Sequence, residues 1–190
     1  MIKNKLIDSV KEFAYKEIET YGAPSKFQVD FTNEKGQLLS EKLNANKNIV
    51  LLGTLLMDCK LGRAYKEGRL QDHIEMSKQK ADEILSSDKD ITNEEKLNIL
   101  NFISQHHGSD KFNSLESEIC CNADCYKFAS IKGVIGGIKN LRDMPLDDLV
   151  KLFINKADEK WNALSLEICK SELKTEYEAI KNFLMNYRIE

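Results

Sequence analysis

Residues that break helices are scarce in this sequence. Only 2 prolines and 9 glycines occur among 190 residues, whereas lysine, glutamate, leucine and isoleucine are abundant. This composition favours an all-α fold. The length suits one domain or two small ones, and we predict a single helical domain over residues 1–190.

Long apolar runs and paired cysteines are also missing. No apolar run reaches the roughly 18 residues that a membrane-spanning helix needs, and the N-terminus alternates charged and apolar residues, unlike a signal peptide. The 5 cysteines are odd in number and include no Cys-x-x-Cys pair, which argues against a disulfide framework or a zinc ribbon. We therefore expect a cytoplasmic protein with reduced thiols packed in its core and no contact with membranes.

Neither sign of charge dominates the chain. The 28 basic and 31 acidic residues are interspersed, so the sequence has no basic footprint of the kind that binds nucleic acids. The glycine-rich segment 131–137 lacks the spacing of a phosphate-binding loop and is interpreted as close packing or a turn. The aromatic residues of the last helix are interpreted as core, or as the contact face of a homodimer.

Apolar periodicity predicts a series of helices. Residues 49–58 form the most apolar segment, which is predicted to be a central helix, with a buried strand as the alternative. Thr92 and Glu95 have the spacing of a capping box that opens a helix, and Gly108 is placed to end it. Residues 62–68 are predicted to be a connection, and the structure of 131–138 is left open. The remaining helices are predicted at about 2–21, 25–43, 70–86, 115–128, 145–157 and 159–187.

Histidine is the residue whose scarcity points to function. The three histidines, His73, His106 and His107, each lie beside an apolar helical stripe, and Asp58 and Asp124 are the acidic residues that we expect near them. Imidazole with carboxylate suits a divalent ion such as Fe, Mn, Zn, Co or Ni, and such sites are built between facing helices. The alternative is a site without metal, in which these side chains hydrogen-bond to one another.

Four segments resemble the HD superfamily of metal-dependent phosphohydrolases. The run ending at Met57-Asp58 is similar to its "ALLHD" helix, and the helix that carries His73, Ser77 and Ala81 is similar to its "H-x-E-x-S…A" helix. His106-His107 matches its "HH" segment, and residues 116–128 resemble its "E…DAD" helix. The likeness covers about residues 26–130 in the family's order. It implies an all-α, HD-domain-like helical core with flanking helices at both ends, those at 145–187 packing on the core.

The sequence departs from the family at the first metal position. Met57 replaces the histidine of the His-Asp pair, and a thioether is a poor ligand for a hard divalent ion. An upstream histidine is absent too, with Asp30 or Glu34 as candidates to replace it. The resemblance leaves the first ion only Asp58 and Asp124.

The second metal position is complete by the same comparison. The resemblance implies that the second ion is bound by four residues, and one ion is therefore expected rather than two. These residues are Asp58, His73, His106 and His107.

The resemblance implies a metal-dependent phosphohydrolase that acts on a phosphate ester or nucleotide. Lys60 and Arg63, which follow Asp58, are predicted to contact the phosphate of a small phosphorylated substrate. The alternative is a catalytically inactive HD-like protein that binds a nucleotide or a protein partner. A third possibility is redox chemistry at an iron site, which some superfamily members show.

Overall fold

Helices form all the regular structure of the described part of the chain. The computed structural model describes residue 2 and residues 4–187, so residue 3 of the first predicted helix lies outside it. A short 3-10 turn, Leu70–Asp72, precedes the fifth helix. The ten α-helices among these residues are α1 Asn4–Tyr21, α2 Lys26–Leu43, α3 Lys47–Leu56, α4 Leu61–Lys66, α5 His73–Ser86, α6 Asn93–Gln105, α7 Leu115–Ala129, α8 Ile131–Asn140, α9 Leu146–Ala163 and α10 Glu167–Met185.

The central segment is a helix rather than a strand, which confirms the prediction. The Asn46 side chain accepts hydrogen bonds from the amides of Asn48 and Ile49 and so caps the start of α3. Nearly every face of α3 is buried, because α1, α2, α5, α6 and α7 all pack against it. The helix ends at Leu56, so Asp58 lies in the turn that follows and not in the helix itself.

The predicted signals at the two ends of α6 are confirmed. Thr92 accepts from the amide of Glu95, whose side chain accepts in return from the amide of Thr92, which completes the capping box. At the other end Gly108 has a positive φ of 111°, a conformation that glycine adopts without steric cost. This turn places His106 and His107 directly after the helix.

The structure corrects two predicted helix boundaries and assigns one segment whose structure was left open. Residues 62–68 are not a plain connection, because α4 occupies Leu61–Lys66. The glycine-rich segment is helix α8, with Gly133 packed closely on the carbonyl of Tyr126. The break expected near residue 158 is also wrong: α9 continues to Ala163 and α10 begins at Glu167.

Two apolar clusters hold the helices together. The larger one joins α1–α3 and α5–α7 with the start of α10. The smaller one lies between α8, α9 and α10 and includes Phe153 and Ile180. All 5 cysteines are buried free thiols, which confirms that they pack as small apolar residues. Among the described residues, no helix is long and apolar enough to cross a membrane.

Candidate metal centre

The five residues predicted as metal ligands come from four separate segments of the helical core. Asp58 lies in the turn after α3, and His73 is the first residue of α5. His106 caps the end of α6, with His107 beside it, while Asp124 lies within α7. Because α3 and α6 pack against each other and against both α5 and α7, these segments meet inside the protein.

Four of the five residues present donor atoms to a common point. One atom each from Asp58, His73, His106 and His107 can be chosen so that all lie within 4.8 Å of one another. Nε2 of His106 is 3.3 Å from Oδ1 of Asp58, and Nε2 of His73 is 3.7 Å from the same oxygen. The Nε2 atoms of His73 and His107 are 3.4 Å apart.

In each imidazole, Nδ1 is the ring nitrogen on the side away from Nε2, and it has an oxygen partner. Nδ1 of His106 is 2.7 Å from the carbonyl of Ile103, and Nδ1 of His73 is 2.7 Å from the carbonyl of Leu70. A carbonyl oxygen only accepts hydrogen bonds, so the Nδ1 atoms carry the protons and the Nε2 atoms carry the lone pairs. Histidines that bind metal ions through one ring nitrogen usually donate a hydrogen bond from the other, which fixes the orientation of the ring.

His107 has a more mixed environment. Its Nδ1 lies 3.2 Å from Oε1 of Glu159 and 3.4 Å from Nζ of Lys160. Burial, together with the neighbouring His106 and Lys160, lowers the pKa of His107 to about 4. The imidazole is therefore neutral near pH 7, which is the form that binds metal ions.

The donor set fits a divalent ion. At metal–ligand distances of about 2.0–2.1 Å, two ligands of a tetrahedral ion are separated by about 3.4 Å. The His73–His107 and His106–Asp58 separations of 3.4 and 3.3 Å match that value, while other pairs are wider, up to 4.8 Å. Nε2 of His106 is fully buried and makes no well-aligned hydrogen bond. A buried nitrogen in this condition is costly unless another partner, such as a metal ion, occupies the centre.

Asp124 lies beside this group but is occupied by two lysines. Its Oδ2 is 2.7 Å from Nζ of Lys160, and its Oδ1 contacts Nζ of Lys127. Burial alone would raise the pKa of Asp124, but the two ammonium groups hold it well below its usual range. Its role as a metal ligand stays a prediction.

Lys127 joins Asp124 to Asp58. Its Nζ is 3.2 Å from Oδ2 of Asp58, the oxygen that faces away from the histidines. Burial would raise the pKa of Asp58, but the ammonium group of Lys127 holds it well below its usual range. Asp58 is therefore an anion that contacts imidazoles through one oxygen and an ammonium group through the other.

These two lysines were not predicted from the sequence. Lys127 lies three residues after Asp124 on the same helix, a spacing that brings side chains together, so a local signal for that pair existed. Lys160 is 36 residues further along the chain than Asp124, so no local pattern links the two.

A cavity of about 190 Å³ opens beside the centre. Its walls combine ligand candidates with lysines and apolar side chains. They include Asp58, His73, His107, Asp124, Phe128, Lys127, Lys156 and Lys160.

The other residues singled out in the sequence lie elsewhere. Lys60 is buried in an ion pair with Glu17, and Nε of Arg63 pairs with Glu67. Lys60 and Arg63 are not among the residues that line the cavity. Their phosphate-binding role stays a prediction, although the cavity has other cationic side chains.

The candidates for the missing upstream histidine are not at the centre either. Asp30 bonds to Tyr15 and Lys26, and Glu34 pairs with Lys132, all in exposed positions. The α2 side chain that reaches the cavity wall is Gln28. Met57 is buried and, with Asp58, lines a separate small cavity of about 10 Å³.

Solved structures with similar folds cover almost the entire chain. A predicted HD superfamily hydrolase from an uncultured Thermotogales bacterium has a TM-score of 0.63 at 14% identity, covering 94% of this chain and 89% of that one. The chain has an HD-like fold.

Two further structures share this HD-like fold. A protein from Lactobacillus plantarum has a TM-score of 0.72 at 14% identity over 98% of this chain and 96% of its own. YpgQ of Bacillus subtilis, also solved in complex with ADP, has a TM-score of 0.65 at 14% identity over 96% and 93% of the two chains. No family model matches the sequence, and no curated protein matches it. At this identity the likeness establishes the fold and leaves the activity to the site itself.

Proposed function

We propose that this HD-like protein is a metal-dependent phosphohydrolase that uses one divalent ion and acts on a phosphate ester or nucleotide. The observation that carries the proposal is the convergence of Asp58, His73, His106 and His107 within 4.8 Å. These residues would hold the ion. When bound, such an ion supplies a water of lowered pKa and neutralises charge on phosphoryl oxygens.

The charges around the centre support an anionic substrate. Asp58 and Asp124 carry two negative charges that Lys127 and Lys160 balance. A divalent ion adds two positive charges to this neutral set, and Lys156 on the cavity wall adds a further one, which is partly offset by Glu159. An anion such as a phosphate group is the ligand that this excess favours.

The residues of the chain would divide the work of binding and orientation. The carbonyls of Ile103 and Leu70 keep the Nε2 lone pairs of His106 and His73 aimed at the centre. Lys156 and Lys160 line the cavity from α9 and would contact phosphate oxygens. Asp124, held anionic by two lysines, anchors those lysines and is not placed to accept a proton.

The size of the cavity limits what enters it. About 190 Å³ is below the roughly 300 Å³ at which pockets begin to enclose drug-sized ligands. A phosphate group and the first atoms of its ester therefore fit inside, with the rest of the substrate outside. The structural neighbour YpgQ has been solved with ADP, which supports nucleotides as candidates here.

The second candidate function is nucleotide binding without hydrolysis. It is favoured by the two carboxylates that are already neutralised by buried lysines and by Met57, whose thioether replaces an imidazole of the resembled family. The two candidates share the fold and the cavity, and differ in whether phosphate is released.

The test combines metal analysis with turnover. Protein purified without chelator is analysed for metal, then assayed for phosphate release from phosphomonoesters and nucleotides, ADP included, with Mn²⁺, Fe²⁺, Co²⁺, Ni²⁺ or Zn²⁺. We expect one ion per chain and metal-dependent phosphate release. Asp58→Asn should lose both, with His73→Ala as a second, less buried variant.

Asp72→Asn is the matched control, because Asp72 adjoins His73 in sequence but pairs with the exposed Arg69. It should keep both metal and turnover. Stoichiometric metal and bound nucleotide without phosphate release would favour the second candidate. Absence of metal binding at any added ion concentration would overturn the metal-dependent proposal.

A further inference from the structure

Lys127 places its ammonium group between two buried carboxylates. Its Nζ contacts Oδ1 of Asp124 and lies 3.2 Å from Oδ2 of Asp58. The side chains of Lys127, Asp58 and Asp124 are only 7%, 11% and 1% exposed. Little solvent reaches this point. The cation that the two carboxylates face there is the ammonium group of Lys127.

Asp58 divides its two oxygens between two cation positions. Oδ1 faces Nε2 of His106 at 3.3 Å and Nε2 of His73 at 3.7 Å, on the side of the proposed ion. Oδ2 faces Lys127 at 3.2 Å. A carboxylate in this arrangement bridges two neighbouring cation positions, and Asp124 contributes the far side of the second one.

The charges at this point indicate why a cation is needed between Asp58 and Asp124. Asp58 and Asp124 together carry two negative charges, and buried charges require compensation. Lys127 and Lys160 supply one positive charge each, and together they balance the two carboxylates. Of the two ammonium groups, only that of Lys127 lies between both carboxylates. If Lys127 lost its charge, one carboxylate would be uncompensated at a point that faces one oxygen of Asp58 and one of Asp124, and oxygen atoms are the preferred ligands of hard divalent ions.

We propose that Lys127 is a built-in cation that occupies a second ion position between Asp58 and Asp124 and so limits the centre to one divalent ion. This inference rests on the proposed function for the identity of the first ion, but concerns a different position. It assigns Lys127 a role in metal stoichiometry rather than in contact with substrate.

The test is the number of Mn²⁺ ions bound per chain. Metal-free wild type and Lys127→Met are titrated by calorimetry, and the bound metal is counted after gel filtration. We expect one ion in the wild type and two in Lys127→Met. Asp124→Asn added to Lys127→Met should return the count to one, because it removes the far side of the second position.

Lys156→Met is the matched control. Lys156 lies on the wall of the same cavity but pairs with Glu159 instead of Asp58 or Asp124. The substitution removes the same charge without emptying the position between the two carboxylates. Its count should stay at one, which separates loss of the specific ammonium group from a general change in cavity charge.

Two outcomes would overturn the role of Lys127: two ions in the wild type, or an unchanged count in folded Lys127→Met. No ion in the wild type with one in Lys127→Met would sink the proposed function while leaving the lysine inference intact. If Lys127→Met is unfolded without metal, circular dichroism with Mn²⁺ decides. Recovery of the fold supports replacement by an ion, and failure to recover refutes it.

Discussion

At the scale of single residues, the three histidines share one orientation. His73 and His106 each direct Nδ1 to a backbone carbonyl of the residue three positions earlier. This local contact sets the tautomer before any metal is present. His107 depends instead on Glu159, a side chain from α9, for its outer contact.

Glu159→Ala should weaken metal binding by about 10-fold, the lower end of the effect of losing an outer-shell partner. The reason is that Nδ1 of His107 loses its acceptor 3.2 Å away. Glu159→Gln should retain part of the affinity, because its amide oxygen can still accept. Calorimetric titration with Zn²⁺ measures the effect.

Asp158→Ala provides the control for that series. Asp158 is the neighbouring carboxylate on α9, but it bonds to Tyr177 and Lys181 and not to a histidine. An equal loss of affinity in Asp158→Ala and Glu159→Ala would show that the effect comes from α9 as a whole rather than from the His107 contact.

The sequence was informative about the metal ligands and uninformative about Lys160. Asp58 and the three histidines could be grouped because histidine is so scarce and because the segments resemble a known order. The contact of Lys160 with Asp124 joins α9 to α7, and only the packing of those helices brings it about. Lys60 and Arg63 follow Asp58 closely in sequence, yet their side chains pair with Glu17 and Glu67.

At the scale of helices, capping determines where α6 begins. Thr92→Ala should lower the free energy of unfolding by about 1 kcal/mol, because the amide of Glu95 loses its side-chain acceptor. Urea denaturation followed by circular dichroism measures the change. Thr92→Ser keeps the hydroxyl and should stay near the wild type. Equal stability of Thr92→Ala and the wild type would show that the capping box contributes nothing.

The contact between α3 and α6 requires glycine at position 53. A Cβ atom there would lie 2.3 Å from the ring of the fully buried Phe102. Gly53→Ala should therefore destabilise the protein by about 1–3 kcal/mol, although alanine is intrinsically the better helix former by about 1 kcal/mol.

A double-mutant cycle in urea tests that explanation. In a Phe102→Leu background the ring is gone, so Gly53→Ala should cost much less or become stabilising. The same cost in both backgrounds would refute the steric account.

Helix boundaries escaped prediction where tertiary contacts set them. Gly62 suggested a loop, but it lies in α4, where it allows a close approach to the chain at Ala23: a Cβ there would be 2.4 Å from the carbonyl oxygen of Ala23. The break between α9 and α10 is fixed by Asn122 of α7, whose side-chain oxygen accepts from the amides of Ser165 and Leu166. Neither contact is visible in local periodicity, whereas the capping box and the apolar period of α6 sufficed to predict that helix.

At the scale of the whole molecule, Lys160 fastens the C-terminal helices to the core. Its ammonium group is buried against Asp124, with exposed side-chain fractions of 2% and 1%. Lys160→Met should cost about 3 kcal/mol, as expected when a buried pair loses one partner. The midpoint of urea unfolding measures the loss.

Lys181→Met is the corresponding control at the surface. It breaks a pair with Asp158, whose side chain is 43% exposed, so the cost should stay below about 1 kcal/mol. Equal losses for Lys160→Met and Lys181→Met would contradict the idea that burial of the Asp124 pair fastens α9 to α7.

The buried cysteines can report local opening of the protein through their reactivity with thiol reagents. Cys59 follows α3, three more thiols lie on α7, and Cys169 is on α10. Since a thiol reagent reaches them only when the surrounding helices separate, the rate of modification in native buffer measures how often each region opens. Mass spectrometry of partly modified protein would rank these openings without any introduced label. Cys169 would report on the C-terminal helices, and Cys120 on the contact between α7 and α3.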